Sequence, residues 1–287
     1  MYGTSLNIKK DQRHKQGVTR VVSITSGKGG VGKTHISVNC GLALARMGRS
    51  VAILDADLSL ANINVMLGLK PKATLQDVVD GRLTLEDTML DGPDGIVIIP
   101  ATSGTPLAAG LTPEQRLLLI DRIEEATACF DYLLVDTQAG IGPDVMYFNS
   151  AASEIICVIT AEPTSLTDAY ALIKVLAQEY GEKEISIVAN NVQSESVGKG
   201  AYLRLARAVE RFLHVKLCYL GAVLTDSAIP TAISEQRALL DLFPSSQASM
   251  GFVKVAEKLD LDFYTRRVKG GMQFFFRELM DAAEYGC

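Results

Sequence analysis

Hydrophobic residues in this chain follow two alternating rhythms. Short runs are apolar at nearly every position, and between them lie longer stretches whose apolar residues return every three or four positions. The first run, Arg20–Thr25, is rich in β-branched residues and leads straight into a glycine cluster. Val38, Leu42, Leu44 and Ala45 then carry a helical spacing that ends near Gly48, and residues 50–54 form a second β-rich run. Strand, loop, helix and strand in that order predict a parallel pair joined by a crossover.

The alternation continues along the chain. Residues 96–100, 132–135, 155–160, 185–189 and 217–223 predict strands, and 113–128, 165–180 and 201–213 predict helices. Strands apolar on both faces belong in a sheet covered on both sides by helices. The expected fold class is therefore α/β, with a mostly parallel sheet in a single domain over residues 20–265. Residues 1–19 are expected to form a flexible lead-in and 266–287 a terminal helix.

Composition narrows the function. Of the 287 residues 48% are apolar, and the net charge is −5 at a pI of about 5.3. A constitutive nucleic-acid grip needs a basic excess that this chain lacks. The five cysteines form no CxxC pair and are odd in number, which predicts buried core residues rather than a metal cluster or a disulfide framework. The polar N-terminus has no apolar signal core, and no run reaches the roughly 18 apolar residues of a spanning helix. A cytoplasmic location is expected, with docking on a membrane surface left open.

The glycine cluster carries the chemistry. Gly27-Lys28-Gly29-Gly30-Val31-Gly32-Lys33-Thr34 fits GxxxxGK[ST], between a predicted strand and a predicted helix as that motif requires. The glycines let several backbone N–H groups converge on one anion, and the helix start adds its positive end. Lys33 is expected to reach the β- and γ-phosphates, and the Thr34 hydroxyl to join a Mg²⁺ shell, which favours oxygen ligands. The sheet is thus expected to be of the P-loop NTPase type. Asp55 and Asp57 end the second strand, where ligands bind in parallel sheets. Carboxylates there order metal-bound and attacking water; Asp55 fits a helix cap equally well. Asp136 ends the apolar run 132–135 and is expected to bind Mg²⁺ through water.

Lys28, a second lysine inside the loop, gives it a specific likeness: the segment resembles the deviant Walker A of the MinD/ParA family. The resemblance implies a Mg²⁺-dependent ATPase, slow without a partner, that pairs with a second copy when ATP is bound. In that dimer Lys28 would reach the partner's nucleotide and stabilise the transition state as an arginine finger does. Lys28, Lys33 and Asp57 become the catalytic set, with Asp57 positioning water. Residues 27–34 and His35 form the nucleotide contact, His35 standing where the family usually has a small hydroxyl residue. Thr34, Asp55 and Asp136 form the implied metal set. Residues 55–62 resemble the first switch, which ends in Asn62. Residues 137–142 resemble the second, where Gly140 offers its N–H to the γ-phosphate and Gln138 replaces a common proline. Asn190 resembles an adenine-reading asparagine, since an amide both donates and accepts, although Asn190-Asn191 also fits a turn. Asp226 falls in a segment resembling the adenine-side loop.

The two ends indicate what such a switch controls. Met272, Phe275, Phe276, Leu279, Met280 and Ala283 share one helical face, preceded by Arg266, Arg267 and Lys269. That pattern suits a helix on anionic lipid. A helix packed on the domain has the same period, and Glu278, Asp281 and Glu284 favour it. The resemblance to MinD-type tails implies the membrane. Asp11-Gln12 resembles the N-terminal activator motif of the flagellar-number branch, FlhG/FleN, whose partner is the GTPase FlhF; residues 20–69, with 57–64 among them, resemble the same branch. Flagellar regulators or C-ring components are then the implied partners. Division-site selection and DNA segregation are the alternatives within the family. A metal-cluster carrier of this fold would need paired cysteines. Truncation after Gly270 is expected to end ATP-dependent sedimentation with liposomes; equal sedimentation of truncated and intact chains would favour the packed helix.

Overall fold

A computed structural model describes residues 19–57, 62–100 and 112–261. Asp11 and Gln12, residues 58–61 of the first switch, and the terminal set Met272, Phe275, Phe276, Leu279 and Met280 lie outside the described residues. The chain runs β1 (Arg20–Thr25), α1 (Lys33–Arg46), β2 (Val51–Ala56), α2 (Ile63–Met66), α3 (Leu75–Val79), β3 (Leu90–Asp91), β4 (Val97–Ile99), α4 (Pro113–Thr127), β5 (Tyr132–Thr137), α5 (Pro143–Ala151), β6 (Glu154–Ile159), α6 (Pro163–Glu179), β7 (Glu184–Val192), α7 (Glu195–Phe212), β8 (Lys216–Leu224), α8 (Ile229–Ser234), α9 (Leu239–Leu242) and α10 (Gln247–Leu261).

Among the described residues eight strands form one sheet, in the order β3-β4-β2-β5-β1-β6-β7-β8. Every pairing is parallel except β3 with β4. This is the expected α/β sheet. The two-residue β3 is too short to leave a periodic signal, and α5 and α10 were not singled out from sequence. Alternate residues serve opposite faces. Val51, Ile53, Tyr132, Leu134, Ile156 and Val158 join the core under α1 and α10. Ala52, Leu54, Leu133 and Val135 pack towards α3 and α4, while Ile155, Cys157 and Ile159 pack towards α6 and α7. Strands β2, β5 and β6 are buried along their whole length, which explains why they read as continuous apolar runs.

β1 leads to β2 on one side, whereas β6, β7 and β8 extend the sheet on the other. The order reverses beside β1, and ligands of open α/β sheets sit at the strand carboxyl ends at such a reversal. At the opposite pole, a polar network ties the first strand to the last described helix. The Arg20 guanidinium bonds Glu154, donates to the Tyr132 hydroxyl at 3.1 Å and donates to the Leu259 carbonyl at 2.6 Å. The Tyr132 hydroxyl donates to Asp260 at 2.9 Å, and Arg49 grips the same carboxylate through two nitrogens.

Arg20 and Glu154 have side chains only 9% and 8% exposed. Removing one member of such a pair leaves a buried charge without compensation. Arg20→Met is therefore expected to lower unfolding free energy by about 3–5 kcal/mol in urea titration. The Arg20→Met/Glu154→Met double variant should lose clearly less, and equal losses would show that the charge pairing is not what matters there.

Candidate functional site

The site starts where β1 must end. A Cβ on Gly27 would meet the Asp168 carbonyl oxygen at 2.1 Å, so α6 presses directly on the loop. Gly32 has φ +90° and caps α1, and a Cβ there would lie 2.2 Å from Asn190 Nδ2. That amide donates to the Val31 carbonyl at 2.7 Å, so the end of β7 fixes the loop from its other side. The cap has no side-chain hydrogen bond to the helix, and the first turn of α1 carries no acid. The positive end of the helix is left to the loop, which is the arrangement that attracts an anion.

Charged groups converge under this loop. Burial pulls the Lys33 ammonium below its ordinary pKa, against the opposing pull of Asp136 and Asp57. Burial pushes the Asp136 carboxyl up to about 6, although the Thr34 hydroxyl, Lys33 and the Ser37 hydroxyl favour its ionised form. Ser37 donates to Asp136 at 3.0 Å. Asp55 stands beside Asp136 in register on β2 and is fully buried. Burial raises it to about 7, opposed by the Ile63 N–H and assisted by the charge of Asp136. Its carboxylate accepts the N–H groups of Asn62 at 2.8 Å, Ile63 at 3.0 Å and Asp57 at 3.2 Å. Asp55 thus caps the start of α2 while remaining within the acidic cluster.

A cleft of about 570 Å³ opens here. Lys33, Thr34, His35, Asp57, Asn62 and Asp136 line it, together with Gly30, Gly32 and Gln138. The Asn62 amide donates to Asp57 at 3.2 Å on its exposed side. Burial lowers the His35 pKa, and its Nδ1 is buried with no hydrogen-bond partner among the described residues. Val65 and Ile233, each more than half exposed, form an apolar rim. Other residues singled out from sequence lie around this centre. Lys28 Nζ donates to Glu162 at 2.6 Å and to Thr164 at 3.0 Å. The Gly140 N–H donates to the Ser26 carbonyl at 2.9 Å. Asp226 accepts the N–H groups of Ala228 at 2.9 Å and Ala248 at 3.0 Å, so its carboxylate is engaged with the backbone at the starts of α8 and α10.

Sequence reasoning missed Ser26, Ser37 and Glu162. Ser37 lies one helical turn beyond Lys33 and Thr34, a spacing that could have found it. Glu162 meets Lys28 only because β6 lies beside β1, and no local pattern carries that. The donor set fits a polyphosphate with a divalent cation. The loop supplies N–H groups and an ammonium, while Thr34 and Asp136 supply hard oxygen at the cleft; Asp55 lies buried beside Asp136 with its carboxylate on three N–H groups. A cation there would offset the burial that pushes both carboxyls up.

Comparison with known proteins agrees with this geometry. A family model described as "ParA: NUBPL iron-transfer P-loop NTPase" matches residues 17–86. The chain is 45% identical to the antiactivator FleN of Pseudomonas aeruginosa over 91% of its own length and 93% of that protein's. It is 31% identical to the flagellum site-determining protein YlxH of Helicobacter pylori, over 96% and 95% of the two chains. Among solved structures, the septum site-determining protein MinD of Pyrococcus horikoshii complexed with Mg-ADP superimposes with a TM-score of 0.66 at 26% identity, covering 84% of this chain and 96% of that one. Gly32→Ala places a methyl against Asn190 and forces a non-glycine residue to φ +90°. It is expected to cost about 1–3 kcal/mol of stability and to abolish nucleotide binding, measured by urea titration and calorimetry. Binding at the level of the unaltered protein would show that the loop tolerates a side chain there.

Proposed function

This chain belongs to the MinD/ParA family of P-loop ATPases, and from that premise we propose that it is an ATP-driven switch regulating flagellar number and placement. The observation that carries the ATPase reading is the convergence of Lys33, Thr34, Asp57 and Asp136 in one cleft beneath a glycine loop. Similarity to FleN over nearly the whole length supports the flagellar role.

In this reading the loop N–H groups and Lys33 bind the phosphates, with His35 at the start of α1. Thr34, Asp136 and Asp55 would hold Mg²⁺, which would supply charge neutralisation on the transferred phosphoryl group. Asp57 holds the attacking water, braced by Asn62. The Gly140 N–H turns to the γ-phosphate, so its bond to Ser26 is exchanged when ATP binds. Asn190 and Asp226 serve the adenine side: Asn190 shapes the loop through Val31, and Asp226 fixes the segment between β8 and α8.

Lys28 acts across an ATP-dependent homodimer. Its pairing with Glu162 is on the surface and screened by solvent, so it is readily exchanged for a partner's phosphate. Turnover is slow until a partner binds, since a switch needs a lifetime. Residues 266–287 bind the inner face of the membrane reversibly, and the segment holding Asp11 and Gln12 engages the GTPase FlhF. A domain over residues 20–265 joins the two.

Lys28→Ala should remove ATP-dependent dimerisation, read by light scattering, while leaving the fold intact; unchanged dimerisation would refute the cross-subunit role. Asp57→Ala should slow hydrolysis and trap the dimer. A pull-down with that trapped protein should recover flagellar components, and recovery of cell-division components instead would overturn the flagellar assignment.

A further inference from the structure

Ser26 sits between β1 and the loop and is completely buried. Its hydroxyl donates to the Lys28 carbonyl at 2.7 Å and accepts from Lys33 Nζ at 3.1 Å. Its own carbonyl accepts the Gly140 N–H at 2.9 Å. One small residue therefore engages two of the donors that the proposed chemistry gives to phosphate, the ammonium of the loop and the amide of the second switch.

The two acceptors competing for Lys33 differ in strength. A hydroxyl is neutral. A phosphate oxygen carries a negative charge, so it adds ion-pair attraction to a hydrogen bond whose ammonium donor is already charged. Phosphate therefore wins the ammonium, but only by breaking the bond to Ser26. We propose that Ser26 is a positioning residue that holds Lys33 against the base of the loop and yields it to bound phosphate. Its hydroxyl thereby sets the strength of nucleotide binding. The inference rests on the reading of Gly27 to Thr34 as a phosphate loop.

A residue that merely braces the loop would have the opposite effect. Removing a brace weakens binding, whereas removing a competitor for Lys33 tightens it. Calorimetric titration of the full chain with Mg-ADP and with a non-hydrolysable ATP analogue reads the sign. Ser26→Ala is expected to bind both about tenfold tighter or more, the range of one net hydrogen bond to a charged group. Ser26→Cys, which keeps a side chain of similar shape with a weaker acceptor, should move the same way and serves if the alanine variant does not fold. In a Lys33→Met background Ser26→Ala should change nothing, because the two residues then have no interaction to lose. Unchanged or weaker binding in folded Ser26 variants, or an equal effect in the Lys33→Met background, would overturn the proposal. Lys33→Met binding nucleotide as well as the unaltered chain does would instead overturn the phosphate-loop reading itself.

Discussion

Strand β1 is hydrogen-bonded on both sides, to β5 and to β6, and the site follows from how the chain leaves it. A strand enclosed in this way cannot drift to an edge. The chain must climb out of the sheet between two neighbours and turn at once into a helix. α6 approaches the turn at Gly27, and Asn190 closes on it at Gly32, so only a backbone without side chains passes. The same confinement aims the start of α1 at the carboxyl ends of the strands. Anion affinity here is a by-product of getting out of a packed sheet.

The neighbouring strands then decide which charges meet that helix start. β2 and β5 end together, which sets Asp55 beside Asp136, while Lys33 and Ser37 descend from α1 above them. Like charges held together out of water are costly. Burial and mutual repulsion both push Asp55 up, and burial pushes Asp136 up. Backbone N–H groups repay part of that at Asp55, and hydroxyls and an ammonium repay part at Asp136. A cation bound beside them would offset the burial that remains uncompensated.

Much of this was legible in the sequence because it is local. The loop spacing, the apolar strands ending in Asp55 and Asp136, and the order of strands and helices need only neighbouring residues to be read. Contacts that depend on which strand lies beside which were not legible. Glu162 reaches Lys28 from a position 134 residues away, and the clasp in which the Ser23 hydroxyl donates to Asn149 while Asn149 donates to Thr25 spans β1 and α5. Asp55 shows the boundary well. Its place at a strand end fits both a cap and a ligand, and only the register with Asp136 and the three N–H groups around it reveals that it caps α2 inside the acidic cluster.

The Arg20 guanidinium, resting on the Leu259 carbonyl, closes the described chain on itself. The chain enters the sheet and leaves the last described helix at one corner, on the pole away from the loop. Fraying of either end would expose the same buried Arg20–Glu154 pair, so the first strand and the last helix open together or not at all.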